Sequence, residues 1–323
     1  MRTITLEEHF ATPAFFDGPA SFVKERAQKI GDRYLLVLDR LCDLGAKRLA
    51  EMDAAGIDMQ VLSLSAPGVE QMEPADAVAM ARDTNDYLAD AVKNHPTRFA
   101  GFAAVPTGSP KQAVEELERR VKQGFKGAVI NGHNRGRYLD NQFYWPILEC
   151  AEALNVPIYL HPTPPPQPVI DVSYGGFSPI VTDMLAGGGW GWHIETSVHM
   201  IRIVCGGVFD RFPKLQFIIG HMGEGLPFFF QRLDIIPMAT TKLKRPISAY
   251  LRENVHYTFA GMNFPPVFLN LLLELGGVDR IMFSADYPYQ SMQQARAFLD
   301  QIPVPAADKE RIAHGNAERL LGL

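Results

Sequence analysis

The sequence predicts an α/β fold, a (β/α)8 TIM barrel that occupies residues 1–323 as a single domain with long loops on its active face. Three observations point there. Eight short apolar runs recur along the chain, helix-like segments separate them, and ligand-type side chains stand at the ends of several runs. The runs are 3–9 (TITLEEH), 59–65 (MQVLSLS), 99–105 (FAGFAAV), 127–131 (GAVIN), 157–161 (PIYLH), 216–221 (QFIIGH), 255–260 (VHYTFA) and 281–286 (IMFSAD). Helices are expected over 34–56, 75–94, 110–124, 142–154, 193–210, 224–238, 264–276 and 289–302. In 110–124, Pro110 suits a first turn, Val114, Leu117 and Val121 recur at helical spacing, and Gly124 follows the end. An open doubly wound sheet is the alternative, but no GxGxxG or phosphate loop follows the first run. Two segments break the rhythm. Residues 10–33 hold Phe10, Phe15, Phe16 and Phe22, and 162–192 is rich in proline, glycine and aromatics. Both follow a strand, so both belong to the active face, and their aromatic content suits a pocket wall.

Composition narrows the function classes. The chain is 47% hydrophobic and 21% charged, enough apolar material for a large core, with a net charge of −5. Without a basic run there is no footprint for nucleic acid. No apolar stretch approaches a membrane span, and MRTITLEEHF has no signal-peptide pattern. Cys42, Cys150 and Cys205 are far apart and odd in number, which suits reduced thiols in a cytoplasmic protein.

The chemistry lies at the strand ends. His9, His161, His221 and Asp286 end the first, fifth, sixth and eighth runs. In a parallel barrel those ends share one rim, within reach of a common ion. Glu7 and His9 are two apart on a strand and point inward together, leaving Glu8 toward the helices. A buried carboxylate beside an imidazole calls for a compensating charge, and a divalent metal supplies one. Glu224 lies three residues after His221, where it either orients the imidazole or simply suits the first turn of a helix. Arg232 is a substrate anchor or a solvated helix arginine. Asn131 touches substrate or caps a turn, and Phe22 and Trp192 are candidate pocket walls or packing residues. His133 is a weaker candidate, His95 suits a surface turn, and His193, His199, His256 and His314 have no constellation and read as structural.

Several motifs resemble a known family: Glu7–Glu8–His9 with Phe10, His161–Pro162, the block 220–227 (GHMGEGLP) with Arg232 and Asp234, Ser284–Ala285–Asp286–Tyr287–Pro288, and Asn316–Ala317 with Leu320. They resemble the amidohydrolase-related decarboxylases, the group of γ-resorcylate, 2,3-dihydroxybenzoate, 5-carboxyvanillate and aminocarboxymuconate-semialdehyde decarboxylases, in order over essentially the whole chain. Hydrolytic members of the superfamily commonly open with HxH, whereas Glu7-x-His9 is similar to the aromatic-acid decarboxylase branch. The resemblance implies that Glu7, His9, His161 and Asp286 hold one divalent ion, Zn2+ or Mn2+, a donor set compatible with either. It further implies that His221 and Glu224 form an acid–base pair and that Arg232 anchors substrate. The implied reaction is non-oxidative decarboxylation of a small hydroxylated aromatic acid by a dimer or tetramer. The carbon that bears the carboxylate must be protonated before carbon dioxide leaves, and Asp286 is the expected donor. Two runs depart from the resorcylate-type pattern, Asp286–Tyr287–Pro288–Tyr289–Gln290 and 256–264 (HYTFAGMNF), and predict an altered pocket floor. The competing readings are a hydrolase or hydratase on the same scaffold, with Asp286 activating water, and a metal-binding protein without catalysis.

Overall fold

In the computed structural model the backbone of residues 1–323 is described, as are all side chains except those of Phe22, Arg26, Lys29, Ile30, Asp32 and Arg33. Nine strand segments are present among the described residues. They are β1 (Ile4–Phe10), β2 (Met59–Leu64), β3 (Phe99–Gly101), β4 (Ala103–Ala104), β5 (Ala128–Asn131), β6 (Ile158–His161), β7 (Phe217–Ile219), β8 (Val255–Thr258) and β9 (Ile281–Met282). Every pairing is parallel, β1-β2-β3 in one ladder and β4 through β9 in the other. β3 and β4 are the two halves of the expected run 99–105. Phe102 between them donates its N–H to Leu62 O at 2.9 Å, and Ala103 N–H turns to Gly127 O at 2.8 Å. At the other seam Leu6 bridges Ser284, with Leu6 N–H on Phe283 O at 3.1 Å and His9 N–H on Tyr287 O at 2.7 Å. The two joins close the ladders into one ring of eight, the expected barrel.

Residues of every strand are buried on both faces, as a parallel sheet wrapped by helices requires. Helices Pro74–Asn94, Pro110–Lys122 and Pro265–Leu275 each start on proline, whose missing N–H costs nothing at a first turn. Ser291 Oγ accepts Gln294 N–H at 3.3 Å to cap Met292–Gln301.

Four expected helices differ. The segment 34–56 is two helices, Asp32–Cys42 and Ala46–Ala55, because the Asp43 carboxylate takes the N–H groups of Gly45 and Arg48 and starts the second one. The segment 142–154 opens on a tight turn, Gln142–Tyr144, before Trp145–Ala153. The segment 193–210 becomes Gly191–Cys205 and Val208–Arg211, split at Gly207 with φ +73°. The segment 224–238 is not one helix. His221, Met222, Gly223, Glu224 and Gly225 all have positive φ, and only short turns, Leu226–Phe229 and Phe230–Leu233, follow. The long active-face loops carry short helices, Pro13–Asp17 and Ser21–Ile30 in the first and Gln167–Ser173 and Pro179–Ala186 in the second. No described helix is long and apolar enough to cross a membrane.

Candidate active site

The barrel mouth gathers Glu7, His9, His161 and Asp286 beside His221 and Glu224. Glu7 reaches it through a kink. The β1–β2 register skips between Thr5 and Glu8, and Glu7 has φ +62°. That bulge re-aims its carboxylate into the barrel, where Tyr159 Oη and Thr258 Oγ1 (3.1 Å) donate to Oε2. Oε1 has no hydrogen-bond partner among the described residues and faces His161 Nε2 at 3.5 Å and His221 Nδ1 at 3.8 Å. Burial pushes the Glu7 carboxyl up to about 8. Gly220 makes this possible, because a Cβ there would stand 2.3 Å from Glu7 Oε2. Glu8 points the other way. It accepts from Ala285 N–H (2.8 Å), Tyr287 N–H (3.3 Å) and Gln60 Nε2 (3.1 Å), lacing β1 to the chain after β9.

The two histidines are arranged as ligands rather than as cations. His161 Nδ1 donates to Pro162 O at 2.8 Å, so Nε2 presents its lone pair to the cluster. Neither ring nitrogen of His9 has a hydrogen-bond partner among the described residues, and its Nε2 lies 3.3 Å from Asp286 Oδ1. Burial lowers His9 to about 3 and His161 well below its usual range. Asp286 is pushed up to about 7, again by burial. One ligand atom from each of Glu7, His9 and His161 fits within 4.8 Å of the others. Glu7 Oε1 and His9 Nε2 are buried acceptors with no hydrogen-bond donor among the described residues, and a divalent ion would satisfy both. The donor set therefore fits the expected ion, with Asp286 at its edge.

His221 is of the opposite kind. Burial alone would lower it, but the carboxylates of Glu224 and Glu7 override that and hold it up at about 10. Its Nδ1 donates to Glu224 Oε1 at 2.7 Å. Glu224 is kept down at about 2: burial would raise it, and His221 and His193 outweigh the burial. The helix-dipole reading of Glu224 is overturned, since its φ of +56° places it in a left-handed turn that points the carboxylate back at His221. Such a turn is strained for residues with a Cβ, as catalytic turns often are.

Other expected residues are placed differently. Asn131 ends β5, gives its N–H to Glu70 Oε1 at 2.9 Å, and packs with Glu70 against Gly68. Arg232 stands exposed on Phe230–Leu233, and the structure does not bring it into the cluster. Phe22 lies outside the described side chains. His133 (to Pro164 O), His199 (from Leu139 N–H), His256 (from Arg280) and His314 (to Glu318) make structural ties.

Sequence reasoning missed three neighbours. Tyr159 was readable, being two residues before His161 on one strand and so on the same face. Tyr289 sets its ring edge-on to His9 at 5.4 Å and shares a 2.6 Å hydrogen bond with Ser65. His193 hydrogen bonds Glu224 Oε2 through Nδ1 at 2.5 Å, with its ring 4.6 Å from that of His221. No local signal marks it, because only the packing of Gly191–Cys205 over the barrel mouth delivers it. Trp192 faces His161 and His221 at ring distances of 6.3 and 6.5 Å.

A one-ion cluster on a parallel barrel, fed from the first, fifth and eighth strand positions, has counterparts among known proteins. The sequence profile described as amidohydrolase matches residues 9–323, and the chain belongs to that family. Within it, the chain is a member of the amidohydrolase-related decarboxylases. It is 38% identical to a γ-resorcylate decarboxylase of Polaromonas sp., covering 99% of this chain and 98% of that protein. A crystal structure of the dihydroxybenzoic acid decarboxylase from Polaromonas sp. with bound manganese and 2-nitroresorcinol matches at a TM-score of 0.90 with 38% identity, covering 100% of this chain and 97% of that one. The 5-carboxyvanillate decarboxylase of Novosphingobium aromaticivorans, complexed with manganese and a nitrobenzoic acid, matches at 0.92 with 34% identity, covering 100% and 96%.

Proposed function

We propose that the chain is a carboxy-lyase: a metal-dependent, non-oxidative decarboxylase of a hydroxylated aromatic acid. The carrying observation is the buried Glu7 carboxylate, whose orphaned Oε1 faces the ligand-poised imidazole of His161 and the His221–Glu224 pair. Glu7, His9, His161 and Asp286 would hold one divalent ion, and the manganese of the related structures makes Mn2+ the first candidate over Zn2+. When bound, the ion supplies positive charge for the substrate carboxylate and its ortho oxygen.

The protein side of the reaction follows from what an aromatic ring demands. Carbon dioxide departs only after the carbon bearing the carboxylate has gained a proton. The carbon–carboxylate bond then breaks and its electron pair restores the ring. Asp286, beside His9 at the mouth, is the group that delivers that proton. His221, with Nδ1 fixed on Glu224, keeps Nε2 for the phenolic oxygen. Trp192 and Tyr289, whose rings face His161 and His9, would offer a bound aromatic ring flat walls.

The face bearing Phe228 and Leu273, 76% and 80% exposed, supports a homo-oligomer, and the free thiols of Cys42, Cys150 and Cys205 suit the cytoplasm. Light scattering tests the first. The activity is tested by carbon dioxide release from a panel of ortho-hydroxylated benzoates, using protein stripped of metal and reloaded with Mn2+ or Zn2+. Release that needs the ion is expected. A protein carrying one ion per chain that releases none from the panel, yet opens a lactone or amide, would belong to the hydrolase reading instead.

A further inference from the structure

His193 lies outside the expected metal and acid–base set, yet it completes a chain of hydrogen bonds into it. Trp192 Nε1–H donates to His193 Nε2 at 3.1 Å, and that nitrogen is also 3.1 Å from Gly188 O. The Glu224 carboxylate can only accept, so the nitrogen that faces it, Nδ1, carries a ring proton. Nδ1–H then donates to Glu224 Oε2 at 2.5 Å, and Glu224 Oε1 takes Nδ1–H of His221 at 2.7 Å. Each oxygen of a fully buried carboxylate is thus claimed by one imidazole. Trp192 is seated from below by Gly188, where a Cβ would stand 2.8 Å from the indole Cζ2. The side chain of His193 is 12% exposed, whereas that of Glu224 is 0% exposed.

We propose that His193 is a positioning residue for the decarboxylation. Its Nδ1–H pins the outer oxygen of Glu224, so that the inner oxygen holds His221 in the orientation that presents Nε2 to the substrate. Without that pin the Glu224 carboxylate is free to rotate, and a buried oxygen is left unpaired. Trp192 extends the chain to the pocket wall. A ring lying against the indole is therefore tied through three hydrogen bonds to the imidazole that acts on it.

The inference rests on the decarboxylase reading, and the test separates the two. His193→Phe keeps an aromatic ring but removes the polar contacts to Trp192, Gly188 and Glu224. His193→Asn places an amide N–H where Nδ1–H stood. The phenylalanine variant is expected to lose roughly 10–100-fold in kcat, the usual cost of removing an outer hydrogen-bond partner, with KM within about threefold. Ion content is expected to stay at the wild-type level with Tm lowered by only a few degrees, the cost of the unpaired oxygen, and asparagine should restore most of the loss in kcat. In zinc-loaded, 15N-histidine-labelled protein the protected His221 Nδ1–H resonance should be lost in His193→Phe and kept in His193→Asn, whatever the substrate. Wild-type kcat in His193→Phe, an unchanged His221 resonance, or asparagine no better than phenylalanine would each overturn the role. So would two ions per chain in the wild type falling to one in His193→Phe, which would make the His193–Glu224–His221 group a second metal site. Failure of the wild type on every panel acid defeats the decarboxylase reading alone, since the resonance still reports on His193.

Discussion

Replacing Gly220 with alanine should damage the metal site through a single methyl group. Gly220 has φ −81° and ψ −168°, a conformation alanine adopts without strain, so the backbone has no reason to move. The added Cβ would stand 2.3 Å from Glu7 Oε2 and 2.6 Å from Oε1. Ordinary contact needs about 3.4 Å, so the carboxylate must retreat by roughly 1 Å. It has little space to do so, because Oε2 is already tied to Tyr159 and Thr258. A displacement of that size at a reacting centre costs on the order of 10²-fold in rate. Weaker ligation of the ion should accompany it. The assay is titration of stripped Gly220→Ala with Mn2+ or Zn2+, read by calorimetry and by the Tm gained on loading, beside the far-ultraviolet circular dichroism that reports the barrel. The expected outcome is a wild-type spectrum with ion affinity reduced by about 10-fold or more. Affinity within twofold of wild type would refute the argument that Gly220 is small in order to seat Glu7.

Three further perturbations test neighbouring parts. Tyr159→Phe removes the hydroxyl that donates to Glu7, and should weaken ion binding by roughly 10–100-fold; an unchanged titration would assign that hydroxyl to packing alone. Asp286→Asn should retain the ion and the fold yet lose at least about 10²-fold in kcat, and retained turnover would remove Asp286 from the proton-donor role. Glu70, beneath Asn131, is pushed up by burial from 4.5 to about 7. It keeps its proton in the folded state after the unfolded chain has lost it, so its contribution is complete below pH 4.5 and is lost as pH rises through about 7. Urea unfolding across that window should show a fall in stability of up to about 3 kcal/mol that flattens in Glu70→Gln; equal slopes in both proteins would contradict it.

The strand ends were legible because parallel strands leave two strong marks, short apolar runs and a shared rim. His9, His161, His221 and Asp286 could be placed from those alone. Glu7 was assigned to the correct side for an incomplete reason. Regular alternation would suffice on a straight strand, but here the inward aim comes from a bulge at φ +62°, which no periodicity reveals. The expected helix 224–238 failed because His221, Met222 and Glu224 adopt left-handed backbone that their residue types disfavour. Gly220, Gly223 and Gly225 hinted at a turn, but only tertiary contacts stabilise the residues between them. His193 was illegible for a related reason. It follows a turn whose shape depends on Gly188 fitting against Trp192, and its partner Glu224 is 31 residues away.

The seam between β1 and the chain after β9 ties the candidate ligands to the first and last strands of the barrel. Glu7 and His9 come from the first strand, and Asp286 follows the last, a few residues from the hydrogen bonds that join Leu6 to Phe283 and His9 to Tyr287. An ion held by this set spans the seam like a clasp. A growing chain cannot form the full site until the last barrel strand has emerged, so complete ligation reports a closed barrel. The same coupling works in reverse. Each tenfold excess of ion over its Kd adds about 1.4 kcal/mol against opening of that seam. Starving the protein of metal should therefore expose its last forty residues to proteases before any other part of the barrel.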